Sequence, residues 1–356
     1  MKILFFTASV DIGGIERVFL SYATGLIDIG HEVHYVTCWE GGALGVNFPK
    51  GIIVHGLGNV RLRYSVLRMR RILKDIKPDV LITGNDSTLV AYLARLLTFS
   101  KNIKLITSQH SYFDNSETLF YSKPILKYIF PRCDKVIAVS NGIGNMLKDR
   151  FYMDKPLVHV INNPVDFKKL QLDATSYNYD VNGHNRYVTF VGRMTPVKNL
   201  RFLMDAFQIF WKTHQDFYLV MVGDGYERKD IEEYIKEKPF KKNVVFEGVK
   251  SNPFPILKHS QMLLLPSTSE AYPTVLIEAM CFGKTCVCTP TNGAIDILEN
   301  GKYGYITSMF DNPQEYATKM EIALVQPMDA DVLRDFVEKK YSLKVKVKEL
   351  LDTING

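Results

Sequence analysis

The 356-residue sequence has no long hydrophobic run, since no uninterrupted apolar stretch reaches the roughly 20 residues that a membrane-spanning helix needs. The apolar start, Lys2 followed by Ile3-Leu4-Phe5-Phe6, ends at Asp11 without a small-residue cleavage site. We therefore interpret it as a first buried strand and not as a signal peptide. The expectation is a cytoplasmic protein, with any membrane contact at the inner face of the cell membrane.

Cysteine is also scarce, and its spacing argues against two common roles. The five cysteines are an odd number, and no two of them form a Cys-x-x-Cys motif. Disulfide frameworks and zinc sites depend on such pairing or spacing, so we expect reduced thiols in the core. An Asp-x-Asp carboxylate pair occurs only at Asp329-Ala-Asp331, in the terminal region, where we interpret it as chance. We therefore expect no metal and no other cofactor.

The dinucleotide fingerprint G-x-G-x-x-G is absent after the first strand, which disfavours an NAD-dependent dehydrogenase. The segment in its place is Gly13-Gly14-Ile15-Glu16-Arg17, which is predicted to open a helix. Glycines at such a point let a ligand approach the backbone and the helix N-terminus, so the segment is typical of a phosphate-facing loop. A tight turn that serves packing alone is the alternative.

The length of the chain suits two domains of roughly 100–200 residues each. Short apolar runs alternate with helical stretches, first between Ile3 and Ile161 and again between Tyr187 and Ile306. This alternation predicts an α/β fold of two Rossmann-like domains whose parallel sheets face a central cleft. The polar, turn-rich interval 166–186 is the predicted linker. The domains are placed at 1–168 and 169–335, followed by a terminal helix at 336–356.

One segment combines features that suit a phosphate group. After the apolar run Met262–Leu265, the sequence Ser-Glu-Ala-Tyr-Pro-Thr-Val-Leu-Ile-Glu-Ala-Met predicts a strand end, a turn and a helix start. Pro273 presets the backbone for a first helical turn. Thr274, Val275 and Leu276 would then present unpaired backbone N–H groups, which bind phosphate oxygens.

Two glutamates flank this helix start. Glu270 is predicted in the loop, where its carboxylate can accept hydrogen bonds from sugar hydroxyls. Glu278 is predicted one turn inside the helix, where it can bind the two hydroxyls of a ribose. A phosphate site between two such carboxylates indicates a nucleotide sugar.

A second loop carries positive charge. The segment Phe190-Val-Gly-Arg-Met-Thr-Pro-Val-Lys-Asn-Leu200 predicts a strand, a loop and a helix. Arg193 and Lys198 lie on this loop, and an arginine fork with a lysine point charge can neutralise the two phosphates of a departing nucleoside diphosphate. Simple solvation of both charges at the surface is the alternative.

Together these motifs resemble the retaining glycosyltransferases of family 4, which have the GT-B architecture. The resemblance rests on Glu-x7-Glu with Tyr-Pro between, on Gly-Arg-x4-Lys and on Gly-Gly-x-Glu-Arg, and it extends over nearly the whole chain. Asn199 stands where the family has glycine, a mild departure because asparagine tolerates the left-handed backbone. The resemblance implies an acceptor domain first, a donor domain second, and a terminal helix that packs back on the first domain.

The resemblance also implies roles for single residues. Gly14 and Arg17 belong to a loop that approaches donor diphosphate and acceptor, and Val249 offers its backbone beside the base. His110, at a strand end, contacts the transferred sugar near its reacting carbon; a satisfied structural histidine is the alternative. The implied catalytic residues are His110, Glu270, Arg193 and Lys198, and the implied donor-binding residues are Gly14, Arg193, Lys198, Val249, Glu270, Pro273, Thr274, Val275 and Glu278.

The implied activity is metal-independent transfer of a hexose or N-acetylhexosamine from a nucleotide sugar to a glycan or lipid-linked glycan acceptor. UDP is the expected nucleotide, and bacterial surface polysaccharide assembly is the expected setting. Retention of configuration is implied, with Glu270 stabilising the sugar and not attacking it. Two alternatives stay open: a nucleotide-sugar epimerase of the same fold, and a non-catalytic module that binds anionic ligands.

Basic residues are concentrated in the predicted helix 61–77. The formal net charge of +6 favours anionic partners. Around an apolar stripe the helix carries Arg63, Arg68 and Arg71, which can meet anionic lipid headgroups or a lipid-linked pyrophosphate at a membrane surface. A solvated helix is the alternative. The sequence has no nucleic-acid recognition motif of known type, so no nucleic-acid partner is expected.

Overall fold

The computed structural model describes residues 1–8, 14–38, 48–58, 61–84, 87–99, 102–112, 123–151, 153, 156–181, 183–184 and 186–356. Gly13 of the predicted phosphate-facing loop lies outside these residues, and the helix that follows it begins at Gly14. Within the described ranges, no helix is both long enough and apolar enough to cross a membrane.

The chain divides into two units. Unit 1 comprises Met1–Pro164 together with Tyr341–Gly356, and unit 2 comprises Val165–Lys340. Both chain ends therefore belong to the same unit. The domain limits predicted from the sequence, 168 and 335, differ from these limits by a few residues.

Unit 1 is built on a seven-stranded parallel sheet in the order β3-β2-β1-β4-β5-β6-β7. Its strands are β1 (Lys2–Thr7), β2 (Glu32–Thr37), β3 (Ile53–Gly56), β4 (Val80–Gly84), β5 (Lys104–Gln109), β6 (Lys135–Ala138) and β7 (Val158–Val160). Its first helices are α1 (Gly14–Asp28), α2 (Val66–Ile76), α3 (Ser87–Thr98), α4 (Lys123–Ile129) and α5 (Asn141–Phe151). The strand order reverses direction at β1, so right-handed connections place helices on both faces of the sheet.

Unit 2 repeats this plan with a six-stranded parallel sheet in the order β10-β9-β8-β11-β12-β13. Its strands are β8 (Tyr187–Val191), β9 (Tyr218–Val222), β10 (Val244–Gly248), β11 (Met262–Leu265), β12 (Thr285–Cys288) and β13 (Tyr305–Ile306). Its helices are α6 (Phe167–Asp173), α7 (Leu200–Trp211), α8 (Arg228–Tyr234), α9 (Phe254–His259), α10 (Thr274–Cys281), α11 (Asn292–Ile297), α12 (Pro313–Val325) and α13 (Ala330–Tyr341).

The strands form where the sequence is continuously apolar, because a parallel strand covered by helices on both faces buries every side chain. Residues Ile3–Phe6 of β1 and all of β11 are buried. The predicted class, two Rossmann-like α/β domains with parallel sheets, is confirmed. All five cysteines are buried free thiols, as predicted.

The interval predicted as a linker is in part a helix, so that prediction was wrong for residues 167–173. Asp166 caps α6, because its side chain accepts a 3.0 Å hydrogen bond from the N–H of Lys169. Asparagine, aspartate and serine favour turns and helix caps alike, and here the capping role prevails.

The last helix, α14 (Leu343–Asn355), completes the core of unit 1. Its Val347, Leu350 and Ile354 are buried in one cluster with residues of α1 and β1. Gly25 of α1 lets the two helices approach, since a Cβ atom there would lie 2.7 Å from Cγ2 of Val347. The helix is amphipathic, and its apolar face is the face that packs.

We expect Leu350→Ala to lower the free energy of unfolding by about 2–5 kcal/mol, because Leu350 is 1% exposed and its loss leaves a cavity. Urea unfolding followed by circular dichroism measures the change. Leu67→Ala is the matched control, because Leu67 is 64% exposed in the same unit and its truncation should cost under about 0.5 kcal/mol. Equal losses in both variants would contradict the packing of α14.

Candidate active site

The two central strands of unit 2 define where a ligand can bind. Strand β8 leads to β9 on one side and lies beside β11 on the other, so the sheet order reverses between β8 and β11. In open α/β sheets, ligands bind outside the carboxyl ends of the strands at such a reversal. Arg193 and Lys198 follow β8, and Glu270 follows β11.

The loop that carries Arg193 is held by backbone contacts to the neighbouring loop. The N–H of Gly192 donates to the carbonyl oxygen of Val222 at 2.9 Å, and the N–H of Met194 donates to that of Asp224, also at 2.9 Å. The side chain of Arg193 itself is exposed. A fixed backbone with an exposed guanidinium suits recognition of an anion that arrives from solvent.

The glycines of the Gly223-Asp-Gly225 turn are required by this contact. A Cβ atom on Gly223 would lie 2.0 Å from the carbonyl oxygen of Gly192, and one on Gly225 would lie 2.2 Å from that of Met194. Gly223 also has φ of 127°, which other residues rarely adopt. These two glycines thus have a specific structural role: they let the Arg193 loop approach.

Lys198 is positioned by a tight turn. Residues 196–198 form one turn of 3-10 helix, and Asn199 then takes φ 52° and ψ 48°, the left-handed conformation that asparagine tolerates. The N–H of Thr268 donates to the carbonyl oxygen of Val197 at 2.8 Å. This bond ties the turn to the loop that follows β11.

The two loops meet in an ion pair. The Nζ of Lys198 donates to Oε1 of Glu270, and these side chains are 18% and 12% exposed. The hydroxyl of Ser267 donates to the same oxygen at 2.7 Å. Two donors on one carboxylate oxygen fix the orientation of Glu270, because a largely buried carboxylate needs hydrogen-bond partners.

Helix α10 begins beside this pair. Pro273 precedes the first helical residue, Thr274, and Glu278 lies one turn inside the helix, as the sequence predicted. Thr274 and Val275 are its first two residues, whose N–H groups have no acceptor earlier in the helix. The prediction was wrong for Leu276, whose N–H donates to the carbonyl oxygen of Pro273 at 3.1 Å and is therefore not available.

A second helix packs against this start at Gly293. A Cβ atom there would lie 2.6 Å from Cδ of Pro273 and 2.9 Å from the carbonyl oxygen of Glu270. The N–H of Gly293 donates to that oxygen at 3.3 Å. Gly293 lies in α11, whose cap Thr291 accepts a 3.3 Å hydrogen bond from the N–H of Ala294.

Two residues of this arrangement have no sequence motif. Ser267 and Gly293 orient Glu270 from either side, one through its hydroxyl and the other through its backbone. The signal for Ser267 is weak: a small hydroxyl residue stands in the loop between a buried strand and the first glutamate. Gly293 shows its role only through the lack of space around it.

Val249 follows β10, which lies on the opposite side of β8 from β11 in the sheet. It is exposed, and Gly248 before it has φ of 68°. The carbonyl oxygen of Gly248 accepts a 2.8 Å hydrogen bond from Gly223 N–H, so this turn joins the same layer of loops. Arg228 covers the ring of Phe246 with its guanidinium 5.5 Å from the ring centroid.

His110 belongs to unit 1 and follows β5. Its Nε2 lies 2.8 Å from the hydroxyl oxygen of Ser108, and its ring meets that of Phe19 edge-on with centroids 6.0 Å apart. Burial lowers the pKa of His110 to about 3, because the charged imidazole would lose its hydration. The ring is therefore neutral at physiological pH. It lines a small cavity with Asn163 and Leu350.

The four arginines assigned to the acceptor or the membrane differ in their surroundings. Arg17 on α1 and Arg71 on α2 are exposed, and Arg63 stacks 4.7 Å from the ring centroid of Tyr64. Arg68 is engaged with the backbone, since it donates to the carbonyl oxygens of Leu57 and Gly58. Its guanidinium thus supports a loop, and the sequence assignment does not account for that.

The comparisons with known proteins cover both halves of the chain. The family model described as Glycosyltransferase Family 4 matches residues 12–169, and the one described as Glycosyl transferases group 1 matches residues 175–342. In the described residues, no group of three or more histidine, cysteine or carboxylate side chains is arranged to hold a metal ion.

Individual relatives are similar along most of their length. The chain is 28% identical to GalNAc-α-(1→4)-GalNAc-α-(1→3)-diNAcBac-PP-undecaprenol α-1,4-N-acetyl-D-galactosaminyltransferase of Campylobacter jejuni, over 91% of this chain and 89% of that one. It is 25% identical to N-acetyl-α-D-glucosaminyl L-malate synthase of Bacillus anthracis, over 86% and 83%. The crystal structure of Anabaena Alr3699/HepE in complex with UDP superposes with a TM-score of 0.81 at 19% identity, over 100% of both chains.

These findings and the two parallel sheets define a glycosyltransferase of GT-B fold. Within that class, the first half of the chain carries a Glycosyltransferase Family 4 domain and the second half carries a Glycosyl transferases group 1 domain.

We expect Gly223→Ala to destabilise the protein by at least about 2 kcal/mol more than Gly301→Ala. Both positions have positive φ, 127° and 94°, but a Cβ at Gly301 has its nearest neighbour at 3.6 Å, while one at Gly223 lies 2.0 Å from a carbonyl oxygen. The comparison therefore isolates the close approach from the backbone strain. Urea unfolding measures both, and equal costs would show that the loops can separate freely.

The lowered pKa of His110 predicts a loss of stability in acid. Its folded-state pKa of about 3 lies below the ordinary 6.5. As the pH falls through 6.5, this histidine therefore binds a proton in the unfolded chain but stays neutral in the folded chain. This lowers stability by up to about 1.4 kcal/mol for each pH unit below 6.5. His110→Gln should therefore show a shallower fall between about pH 6.5 and pH 5 in urea unfolding. Parallel curves for variant and wild type would contradict the lowered pKa of His110 in the folded chain.

Proposed function

We propose that this glycosyltransferase moves a hexose or N-acetylhexosamine from a UDP-sugar to a glycan or lipid-linked glycan acceptor, with retention of configuration and without a metal ion. The observation that carries the proposal is the ion pair of Lys198 with Glu270 at the sheet reversal of unit 2, beside the start of α10. A cation, an oriented carboxylate and free helix amides together suit a sugar diphosphate.

The diphosphate would bind to the positive part of this arrangement. Arg193 and Lys198 supply two cations, and the N–H groups of Thr274 and Val275 lie at the positive end of the α10 dipole. These groups would stabilise the negative charge that develops on the departing diphosphate. Such preorganised stabilisation lowers the activation barrier of the transfer. With these groups in place, the proposal assigns no step to a metal.

The nucleoside would extend from the diphosphate along the same layer of loops. Glu278, one turn inside α10, is proposed to bind the ribose hydroxyls, and the exposed backbone at Val249 is proposed to meet the base. Uracil is the proposed base, because the Anabaena protein of the same fold was crystallised in complex with UDP.

The transferred sugar would contact Glu270. Its Oε1 is held by Lys198 and Ser267, so the carboxylate is already oriented before a sugar hydroxyl arrives. When the diphosphate binds, Lys198 gains a second anionic partner, which leaves Glu270 a greater capacity to accept from the sugar. His110 is proposed to contact the same sugar, and as a neutral imidazole it can both donate and accept.

The proposed step breaks the bond between the anomeric carbon and the diphosphate oxygen, and it forms a bond from that carbon to the acceptor hydroxyl oxygen. The bonding electrons leave with the diphosphate, and the proton of the acceptor hydroxyl passes to the departing phosphate oxygen on the same face. Attack on the face from which the diphosphate leaves accounts for retention without a covalent intermediate.

The acceptor is proposed to be a glycan, and a lipid-linked one at the inner face of the cell membrane is favoured. The Campylobacter jejuni relative is named for a diNAcBac-PP-undecaprenol substrate, and that relative is similar over 91% of this chain. A role in bacterial surface polysaccharide assembly follows from such an acceptor.

We expect UDP to raise the melting temperature, because a ligand that binds only the folded state stabilises it. Lys198→Met should weaken UDP binding about tenfold or more through the lost charged hydrogen bond. Glu270→Gln should keep UDP binding and slow sugar transfer by about 10²–10³, because an amide replaces the oriented carboxylate. A thermal-shift panel of UDP-, GDP- and ADP-sugars and a coupled assay for released UDP measure these effects.

Lys339→Met is the matched control, since Lys339 forms an exposed ion pair with Asp335 on α13 and should leave both readouts unchanged. A failure of every nucleotide sugar to stabilise the protein would contradict the donor site. Conversion of a UDP-sugar to its epimer in the absence of any acceptor would identify an epimerase instead.

A further inference from the structure

The positive charge of this chain is concentrated in one short segment. Residues 61–77 contain seven basic residues and one acidic residue, an excess that equals the formal net charge of +6 for all 356 residues. The remainder of the chain is therefore balanced. The segment comprises one turn of 3-10 helix, Leu62–Tyr64, and helix α2. A charge excess so placed attracts an anionic partner to one surface of unit 1.

The outer face of α2 combines cations with an apolar side chain. Met69, Leu73 and Ile76 are buried and define the inner face. At 100° per residue, Leu67 and Arg71 lie on the opposite face, one turn apart. Both are exposed, and Leu67 is 64% accessible to solvent. The outer face is thus not merely a solvated polar surface.

Helix α3 adds an apolar end beside it. The Nε of Arg70 donates to the carbonyl oxygen of Leu97 at 2.9 Å, which holds the end of α3 against α2. Leu96 and Leu97 are exposed there, and Phe99 is 88% exposed with φ of 55°. A phenylalanine in the left-handed region is strained, so a large ring is held toward solvent at a cost in free energy.

The charged residue of α3 does not offset this apolar character. Arg95 is its one charged side chain, and it forms an ion pair with Asp134 and donates to the carbonyl oxygen of Arg132 at 2.9 Å. The guanidinium of Arg95 therefore contacts other residues of unit 1. The exposed end of α3 presents hydrocarbon next to the cations of α2.

We propose that this region, the α2–α3 surface, binds the surface of an anionic lipid bilayer. It is defined by Tyr64, Leu67, Arg71, Lys74, Leu96, Leu97 and Phe99. The cations contact lipid phosphates, while the leucines and aromatic rings enter the boundary between headgroups and acyl chains. The assignment deepens the proposed function, since a lipid-linked acceptor lies in such a bilayer, but lipid binding requires neither donor nor acceptor.

A bilayer fits this surface better than two other partners. Nucleic acid would engage the cations but would leave exposed Leu96 and Leu97 without an apolar partner. A second copy of the chain, docked about a twofold axis, would bring Arg71 and Lys74 close to their own copies, and the like charges would repel. An anionic membrane supplies a partner for both kinds of side chain.

The test is sedimentation of the full chain with vesicles of phosphatidylcholine alone or mixed with phosphatidylglycerol. We expect binding to the anionic vesicles only, weakened by salt. Arg71→Glu with Lys74→Glu should reduce the partition coefficient at least about tenfold, because each cation near an anionic membrane surface adds to the attraction. Leu96→Ser with Phe99→Ser should reduce it roughly tenfold and leave the salt dependence in place.

Matched controls lie in unit 2. Lys241→Glu with Lys242→Glu makes the same change in net charge at exposed positions, and Leu172→Ser with Val325→Ser removes equally exposed apolar groups. Both should bind vesicles like wild type. UDP should raise the melting temperature of all variants equally, which separates failure of this surface from failure of the donor site.

Equal loss in the controls, or unchanged binding in the α2–α3 variants, would overturn the proposal. So would α2–α3 variants that keep vesicle binding but lose binding to short duplex DNA in fluorescence anisotropy, since the surface would then serve nucleic acid. A change of oligomeric state in light scattering, with vesicle binding intact, would assign it to a second copy.

Discussion

A largely buried ion pair, Lys198 with Glu270, joins the loops that leave the two central strands of unit 2. Removing both charges from water is costly, and the pair is sustained because Ser267 adds a hydrogen bond and Thr268 fixes the two loops through the backbone. Loss of either partner would leave an unbalanced charge in a confined space. The pair therefore fixes the distance between a cation suited to phosphate and a carboxylate suited to sugar, before any substrate is present.

Close backbone contact sets the positions of the surrounding groups. Gly223 and Gly225 admit the Arg193 loop on one side of β8, and Gly293 admits the start of α10 and the carbonyl of Glu270 on the other. At each point a methyl group would collide with main-chain or proline atoms, which cannot move as a flexible side chain can. The positions of these loops therefore depend on glycines, which have no side chain, as much as on the residues whose side chains make contacts.

The sequence was sufficient for the fold because parallel strands covered on both faces leave continuous apolar runs, as in β1, β9 and β11. The motif residues were also placed correctly along the chain, with Glu270 in a loop and Glu278 one turn into a helix. The error in the predicted linker arises because local composition is ambiguous there: Asp166 caps a helix in an interval rich in turn formers.

Tertiary contacts could not be predicted in this way. Ser267 and Gly293 form hydrogen bonds with Glu270, and only a weak signal in the local sequence marks Ser267. Solvent exposure was equally hidden, because Leu96 and Leu97 fit a helical pattern that ordinarily indicates burial. Whether an apolar side chain faces the core or the outside depends on what packs beside it, and that is known only once α2 and α3 are placed together.

The return of α14 to unit 1 has a consequence for biosynthesis. Val347, Leu350 and Ile354 complete the cluster that contains the first strand, yet the ribosome adds them after every residue of unit 2. The amino-terminal part of unit 1 therefore keeps an uncovered apolar patch beside α1 until α14 is synthesised, whereas unit 2 has all its residues earlier. Folding during synthesis should thus run in the reverse of the usual order, with unit 2 reaching its native state before the core of unit 1 is complete.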